Sequence, residues 1–155
     1  MLSLEEAHFR LSTLPAWAAQ FKDRALVPSL VEEVLRYESP VQLIFRRTTQ
    51  DVELSGTPIP ASAGVFLLLG SANRDEQQFP DPDRFDVRRN PRDHLAFGYG
   101  IHYCLGAELA RLEAKVALES LLFEGPLFRS TIDQIPRVAS ILVRGPQRLP
   151  LTFGT

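Results

Sequence analysis

The sequence predicts a mainly α fold with small β-sheets (α+β), and three features of its 155 residues support this prediction. Apolar residues recur at helical spacing after Pro28 and again after Cys104, which indicates two amphipathic helices. Between them, residues 41–50 and 52–60 are rich in β-branched and apolar residues, which indicates short strands, and Ser55-Gly56 is a turn signal. The length favours a single domain over residues 1–155 that is large enough to bury a core.

The composition excludes several classes of protein. Hydrophobic residues make up 45% and charged residues 23%, as in an ordinary globular domain. Lys+Arg 17 against Asp+Glu 19 gives a net charge of −2, which offers no basic field for nucleic acid. No apolar run approaches a membrane span, since the longest covers only residues 65–69. Residues 1–10 lack the pattern of a secretory signal, so we expect a cytoplasmic protein.

Two helices are predicted in the first quarter of the chain. Apolar residues at helical spacing in residues 1–22 indicate a first helix, and Pro15 interrupts this pattern. Residues 29–37 form the second, which ends before Ser39-Pro40 because the residue before a proline avoids the helical conformation. Its apolar stripe consists of Leu30, Val31, Val34 and Leu35.

The remaining segments alternate between regular and irregular structure. Residues 41–69 are expected to form a small sheet of short strands, and residues 70–75 a short helix or turn. Residues 79–103 begin with alternating prolines and charges, which cannot sustain regular pairing. Residues 104–123 have the longest helical pattern, and residues 137–153 alternate like a hairpin around Gly145-Pro146.

Cys104 is the only cysteine, which excludes an intrachain disulfide and a multi-thiolate metal site. The surrounding segment, FGYGIHYCLG, contains three glycines and opens into the long helix. Glycines permit a tight curl that aims backbone amides at the sulfur, and a helix N-terminus also favours a thiolate. A lone thiolate suits an iron whose other positions are filled by a macrocycle, as in haem.

This segment resembles the cysteine signature of the cytochrome P-450 haem-thiolate monooxygenases. The matching positions are Phe97, Gly98, Gly100, His102, Cys104 and Gly106. Two further motifs follow the order of the family. Glu33-Val34-Leu35-Arg36 resembles its Glu-x-x-Arg helix, and residues 79–85 resemble the segment whose arginine, here Arg84, completes an ion-pair triad with Glu33 and Arg36. The resemblance implies that Glu33→Ala abolishes haem incorporation.

The resemblance implies haem b as the cofactor, with Cys104 as the ligand of its iron. Arg46 and His102 are the implied partners of the haem propionates, and strand alternation turns the neighbouring Arg47 to the opposite face. Phe97 is expected to cover the sulfur side of the ring, with Gly98 and Gly106 in the same binding loop. A plain core aromatic remains the alternative for Phe97, and a surface loop residue remains the alternative for His102.

The implied activity is the insertion of one oxygen atom of O2 into a small apolar organic substrate, with electrons from a ferredoxin or flavin-type donor. The resemblance runs from about Ala16 to the end of the chain. It corresponds to the C-terminal part of the family's fold, without the N-terminal half and the long distal helix, so no catalytic proton-delivery residue is identified here. The alternative is a truncated non-catalytic remnant or a haem-binding fragment of such an enzyme.

The residues also allow other interpretations. Cys104 could act as a hydrolase nucleophile with His102 as base, although residues two apart in a glycine loop seldom bring their side chains together. Zinc lacks a full set of ligands. Arg111 could contribute to docking of a redox partner or be a solvated helix residue, and His8 and His94 are expected to be structural or solvent-exposed.

Overall fold

The computed structural model describes residues 23–125, 128–130 and 136–153, so the helix predicted within residues 1–22 lies outside the described residues. Helices and small antiparallel sheets are both present, which confirms the predicted fold class. The helices are α1 (Val27–Tyr37), α2 (Leu69–Ala72) and α3 (Ala107–Glu119). The strands are β1 (Ile44–Arg47), β2 (Val52–Leu54), β3 (Thr57–Ile59), β4 (Gly64–Leu67), β5 (Phe128–Ser130) and β6 (Leu151–Phe153).

Helix α1 begins after a short 3-10 turn, in which the side chain of Asp23 accepts a hydrogen bond from the amide of Ala25 at 2.9 Å. Pro28 lies in the first helical turn, where its missing amide costs nothing. The helix ends at Tyr37, the residue predicted from the Ser39-Pro40 pair. Its apolar side chains Val27, Leu30 and Val31 are buried, whereas Val34 is 40% exposed although the sequence pattern placed it on the same stripe.

The predicted sheet region consists of two antiparallel ribbons. Strand β1 pairs with β4, and β2 pairs with β3. Ser55 and Gly56, the predicted turn, connect β2 to β3 with φ angles of 50° and 77°. Two consecutive positive φ values are the geometry of the tight hairpin turn that matches strand twist.

A buried ion pair joins α1 to residues 79–92, which we call the proline-rich loop. Glu33 and Arg36 are both 0% exposed, and Arg36 donates to both carboxylate oxygens of Glu33 at 2.8 and 2.9 Å. Its guanidinium also donates to three backbone carbonyls, those of Asn73, Pro82 and Arg84, at 2.9, 2.8 and 3.3 Å. One buried arginine thereby fixes the path of a loop that has no regular backbone pairing of its own.

The third member of this triad differs from the prediction. The side chain of Arg84 is 69% exposed and lies 3.6 Å from Asp86, so it does not complete the triad. Its place is taken by Arg89, whose Nε lies 3.4 Å from Glu33 Oε1 and whose side chain is only 15% exposed. The physical reason is the backbone: the carbonyl of Arg84 is turned inward to accept from both Arg36 and Arg89, and the side chain leaves toward solvent.

Helix α3 begins at Ala107, three residues later than the predicted start at residue 104. Residues 104–106 form a turn instead, which the amide of Ala107 closes by donating to the carbonyl of Cys104 at 3.2 Å. At its other end the helix continues as a π-helical turn, Ser120–Glu124. Cys104 therefore precedes the helix rather than forming its first residue.

The C-terminal tail folds back on itself, but not around Gly145-Pro146 as predicted. Gly145 already belongs to the returning arm, because its carbonyl accepts from the amide of Val138 at 3.0 Å. The turn lies between these two residues, where Ser140 Oγ accepts from the amides of Leu142 and Val143. The end of the tail pairs elsewhere, since β6 is antiparallel to β5.

No helix in the described ranges has the length and apolarity needed to cross a membrane.

We predict that Glu33→Ala lowers the free energy of unfolding by about 3–5 kcal/mol, because the buried Arg36 guanidinium would lose its carboxylate. Urea denaturation followed by circular dichroism measures this loss. The control is Arg84→Ala, which removes an exposed ion pair and should cost about 0–1 kcal/mol. Equal losses in the two variants would contradict the assignment of the triad.

Candidate functional site

The loop before α3 is closed on itself by backbone hydrogen bonds. The amide of Cys104 donates to the carbonyl of Phe97 at 2.9 Å, and the amide of Tyr103 donates to that of Gly100 at 3.0 Å. Gly98 and Gly100 have φ angles of +75° and +72°, a region that other residues rarely adopt. The glycines thus allow the tight curl predicted from their spacing. We call residues 97–104 the cysteine loop.

The thiol of Cys104 is exposed at the end of this loop. Backbone amides were expected to surround it, yet within the described ranges no hydrogen bond reaches Sγ. The amide of Ala107 instead donates to the carbonyl of Cys104, and that of Ala110 to the carbonyl of Gly106. Gly106 lies beside the sulfur, where an added Cβ would be 4.0 Å from Sγ. The lone pairs of the sulfur are therefore not engaged by these amides.

The cysteine loop forms one wall of an open cavity of about 830 Å³. This volume falls within the range of small-molecule and cofactor sites. The opposite walls come from the end of α1, from the β1–β4 ribbon and from α2. Apolar side chains supply most of the lining: Leu35, Pro40, Val41, Ile44, Phe66, Leu67, Leu68, Leu69, Ala72, Leu95, Ala96 and Phe97.

The structure brings most of the predicted cofactor-binding residues to this cavity. The lining includes Phe97, Gly98, His102, Cys104 and Arg46. The exception is the sixth predicted residue, the glycine at position 106, which lies next to the sulfur but not on the cavity wall.

Strand alternation separates the two arginines at the end of β1. Ile44 and Arg46 line the cavity, whereas Phe45 and Arg47 do not. Successive side chains of a strand point to opposite faces, which explains this division. Arg46 Nη1 donates to the carbonyl of Phe45 at 2.9 Å, and its guanidinium has further N–H groups that can reach a ligand.

These features fit a haem group. A flat macrocycle needs apolar walls, its iron needs a ligand such as a thiolate, and its two carboxylates need basic partners at the rim. The cavity has apolar walls, one thiol at Cys104, and two basic side chains, Arg46 and His102. Among the described residues, no group of three or more His, Cys, Asp and Glu side chains converges on a point, so the sulfur is not part of such a cluster there.

The hydrolase interpretation finds no support in the geometry. A nucleophile and its base normally lie within hydrogen-bond reach of each other. In the part of the chain that the structure describes, the ring of His102 makes no hydrogen bond to Cys104 Sγ.

A cluster of polar residues behind the cysteine loop was not predicted from the sequence. Glu32 accepts from Arg111 Nε at 2.7 Å and from Arg111 Nη2 at 3.1 Å, and lies 3.0 Å from His94 Nε2. Arg111 also donates to Tyr103 Oη at 3.0 Å. His94 is therefore structural, one of the two roles expected for it, and Arg111 is bound within the fold rather than a solvated helix residue. The Glu32-Glu33 doublet is the only local signal that could have suggested the cluster.

The same cluster controls the ionisation of Glu32. Burial alone raises the pKa of this carboxyl, but the hydrogen bonds from His94 and Arg111 outweigh burial and lower the pKa from 4.5 to about 2. The pKa of Arg111 is raised, first by its hydrogen bond to Glu32. Glu32 is consequently ionised over the whole neutral and mildly acidic range.

Comparison with known proteins places this geometry in a family. A family model described as Cytochrome P450 matches residues 15–133. The chain is 45% identical to 6-deoxyerythronolide B hydroxylase of Saccharopolyspora erythraea, over 84% of this chain and 33% of that protein. It is 46% identical to vitamin D(3) 25-hydroxylase of Pseudonocardia autotrophica, over 86% of this chain and 34% of that protein.

Solved structures agree with the sequence comparisons. The structure of cytochrome P450 CYP109Q5 from Chondromyces apiculatus superposes with a TM-score of 0.84 at 50% identity, and the match covers 94% of this chain and 39% of that one. The tirandamycin C-bound P450 monooxygenase TamI gives a TM-score of 0.85 at 46% identity, over 93% of this chain and 37% of that one. The chain thus spans about a third of the length of the curated relatives it matches.

We predict that the stabilisation contributed by Glu32 is complete above pH 4.5 and is lost as the pH falls toward about 2, because its folded pKa lies below its unfolded one. The difference in free energy of unfolding between the wild-type chain and Glu32→Gln should narrow by about 2 kcal/mol between about pH 6 and pH 3. Urea titrations at the two pH values measure it.

The matched control for this prediction is Glu108→Gln. Glu108 also pairs with Arg111, at 2.9 Å, but its side chain is 87% exposed. Its substitution should leave the pH dependence of unfolding unchanged. The prediction is contradicted if the free energies of unfolding of the wild-type chain and of Glu32→Gln differ by the same amount at both pH values.

Proposed function

The chain belongs to the cytochrome P450 family, and we propose that it forms the thiolate side of a haem-dependent monooxygenase. Members of this family bind haem b, iron protoporphyrin IX, through a cysteine thiolate. One observation supports the proposal above the others: the only cysteine of the chain lies on the wall of an apolar cavity that also presents two basic side chains.

The proposed role of Cys104 is to bind the haem iron as its axial thiolate. The cysteine loop suits this role because the amide of Cys104 itself closes its backbone. This hydrogen bond fixes the backbone position from which the side chain of Cys104 extends. The ring of Phe97 is held by neighbours on two sides, with centroids 6.0 Å from His94 and 6.4 Å from Tyr103. In this position Phe97 would shield the sulfur side of the cavity from water.

Arg46 and His102 are the proposed partners of the haem propionates. Both line the cavity, Arg46 from β1 and His102 from the 3-10 turn of the cysteine loop. A guanidinium binds carboxylates through paired N–H groups, and this geometry is stronger than a single neutral hydrogen bond. Arg47 lies off the cavity and serves as an internal comparison.

The proposed reaction is insertion of one oxygen atom of O2 into a small apolar organic substrate. The bound haem would supply the oxygen-activating chemistry, and the chain described here would supply the thiolate, the anchors and the dry wall. Relatives named as hydroxylases of 6-deoxyerythronolide B and of vitamin D(3) support a substrate of largely apolar character. We propose a ferredoxin or a flavin-type protein as electron donor, and the cytoplasm as location.

A haem-binding chain without turnover is the second candidate. The surface of helix α3 favours this candidate. Leu109, Leu112 and Val116 are each more than half exposed along one stripe, so the described residues leave this apolar surface uncovered. Exposed apolar stripes of this size normally face another part of a protein. Haem binding and turnover must therefore be measured separately.

We predict that the purified chain, reconstituted with haemin and reduced under carbon monoxide, develops the absorption band characteristic of thiolate-ligated haem. Cys104→Ser should eliminate this band, because a hydroxyl does not replace the thiolate. A difference spectrum measures the band, and substrate oxidation with a reconstituted electron donor measures turnover.

The outcomes of this test separate the candidates. The band together with turnover supports the monooxygenase, and the band without turnover supports the haem-binding alternative. Absence of the band from the wild-type chain, under conditions in which a full-length relative gives it, contradicts both and supports a truncated non-catalytic remnant.

We further predict that Arg46→Ala weakens haemin binding by about tenfold or more, because a charge-assisted hydrogen bond to a propionate would be lost. Fluorescence quenching titrations with haemin measure the dissociation constant. Arg47→Ala is the matched control, since it removes the same charge from the adjacent position of the strand but from the face that does not line the cavity. Equal weakening in both variants would indicate a general charge effect and not a propionate contact.

A further inference from the structure

Two neighbouring carboxylates of α1 face different parts of the molecule. Glu33 points to Arg36 and the proline-rich loop, as described above. Glu32 is 8% exposed and turns instead toward the cysteine loop and α3, where it meets His94 and Arg111. We call Glu32, His94 and Arg111 the Glu32 cluster. It joins α1 to two segments that lie 62 and 79 residues from Glu32 in the sequence.

The hydrogen bonds of His94 define its tautomer. His94 Nδ1 accepts from the amide of Ala96 at 3.2 Å, and a nitrogen that accepts a hydrogen bond carries no proton. The proton of the neutral ring is then on Nε2, which donates to Glu32 Oε2 at 3.0 Å. The carboxylate of Glu32 thus fixes the ring of His94. The other nitrogen of that ring holds the amide of Ala96, the residue directly before Phe97.

Arg111 connects the same carboxylate to both ends of the cysteine loop. It donates from Nε and Nη2 to the two oxygens of Glu32 in a bidentate pair. Its Nη1 donates to Tyr103 Oη, and its guanidinium carbon lies 4.7 Å from the centroid of the Phe97 ring. Both residues bear on the backbone at Cys104. The carbonyl of Phe97 accepts the hydrogen bond from the Cys104 amide, and Tyr103 is the residue directly before Cys104 in the chain.

We propose that Glu32 is a positioning residue for the thiolate: through Arg111 and His94 it holds Phe97 and Tyr103, and so fixes the direction in which Cys104 presents its sulfur. The inference rests on the proposed haem-thiolate function. Glu32 touches neither the sulfur nor the cavity, so it acts only through these neighbours. Its role differs from that of Glu33, which holds the proline-rich loop.

The test compares Glu32→Gln with Glu108→Gln in two measurements. Hydrogen exchange of the protein without haem reports the amides of Ala96, Tyr103 and Cys104, and the amides of the β1–β4 ribbon serve as an internal reference. The carbon monoxide difference spectrum of the haemin-loaded protein reports the share of bound haem with the thiolate band. Glu108 is the matched control because it binds the same guanidinium from solvent.

In Glu32→Gln we expect exchange of the cysteine-loop amides to accelerate by about tenfold, the equivalent of ~1.4 kcal/mol, with the ribbon unchanged. The thiolate share of the bound haem should fall while total haem binding persists. Glu108→Gln should match the wild type in both measurements. Arg111→Lys provides a second variant, since it keeps the charge but loses the bidentate fork, and it should move both measurements in the same direction.

Each other outcome overturns the inference. Unchanged loop exchange in both Glu32→Gln and Arg111→Lys would show that the cluster does not hold the loop. Faster exchange with a normal thiolate share would show a purely structural role. If the wild-type chain itself gives no thiolate band, the proposed function fails and this inference fails with it, a result that is distinguishable because it appears before any substitution is made.

Discussion

The ion pair between Glu33 and Arg36 is the contact on which the rest of the structure depends. Both side chains are completely buried, and burial of two charges is costly unless every donor and acceptor finds a partner. Here the partners are found: Arg36 donates to Glu33 and to three carbonyls, and Glu33 also accepts from the amide of Asp86 and from Arg89. Without this pair, the irregular segment between α2 and the cysteine loop would lose its completely buried contact with α1.

The cavity wall that carries Cys104 is built outward from the same helix. One turn of α1 directs Glu33 toward the proline-rich loop and its neighbour Glu32 toward the cysteine loop, because adjacent helical residues point about 100° apart. Asn73 links the segment after α1 to the segment before the cysteine loop. Its side chain donates to Ser39 Oγ and accepts from the amide of Leu95, both at 2.6 Å. A helix that does not touch the thiol therefore determines where the thiol lies.

The sequence contained the local features of this fold. The end of α1 followed from Ser39-Pro40, and the β2–β3 turn followed from Ser55-Gly56, because both depend on a few adjacent residues. The same is true of the cysteine loop, whose glycines take the positive φ angles expected of them.

What the sequence could not show depends on contacts between distant residues. Arg84 fits the family motif by position, but the direction of its carbonyl places Arg89 in the pair instead. The cluster of Glu32 joins side chains up to 79 residues apart, for which no spacing rule exists. The turn of the tail is a local exception: the side chain of Ser140 provides it, whereas Gly145-Pro146 had the stronger composition signal.

The way in which Arg36 holds the proline-rich loop has an evolutionary consequence. It contacts Pro82 and Arg84 only through their carbonyl oxygens, a group that every amino acid possesses. Substitutions at these two positions can therefore accumulate without loss of the contact, provided that the new residue accepts the same main-chain conformation. Side-chain chemistry at these two positions can therefore change while the segment keeps its shape, because the two hydrogen bonds depend on backbone torsion angles and not on residue type.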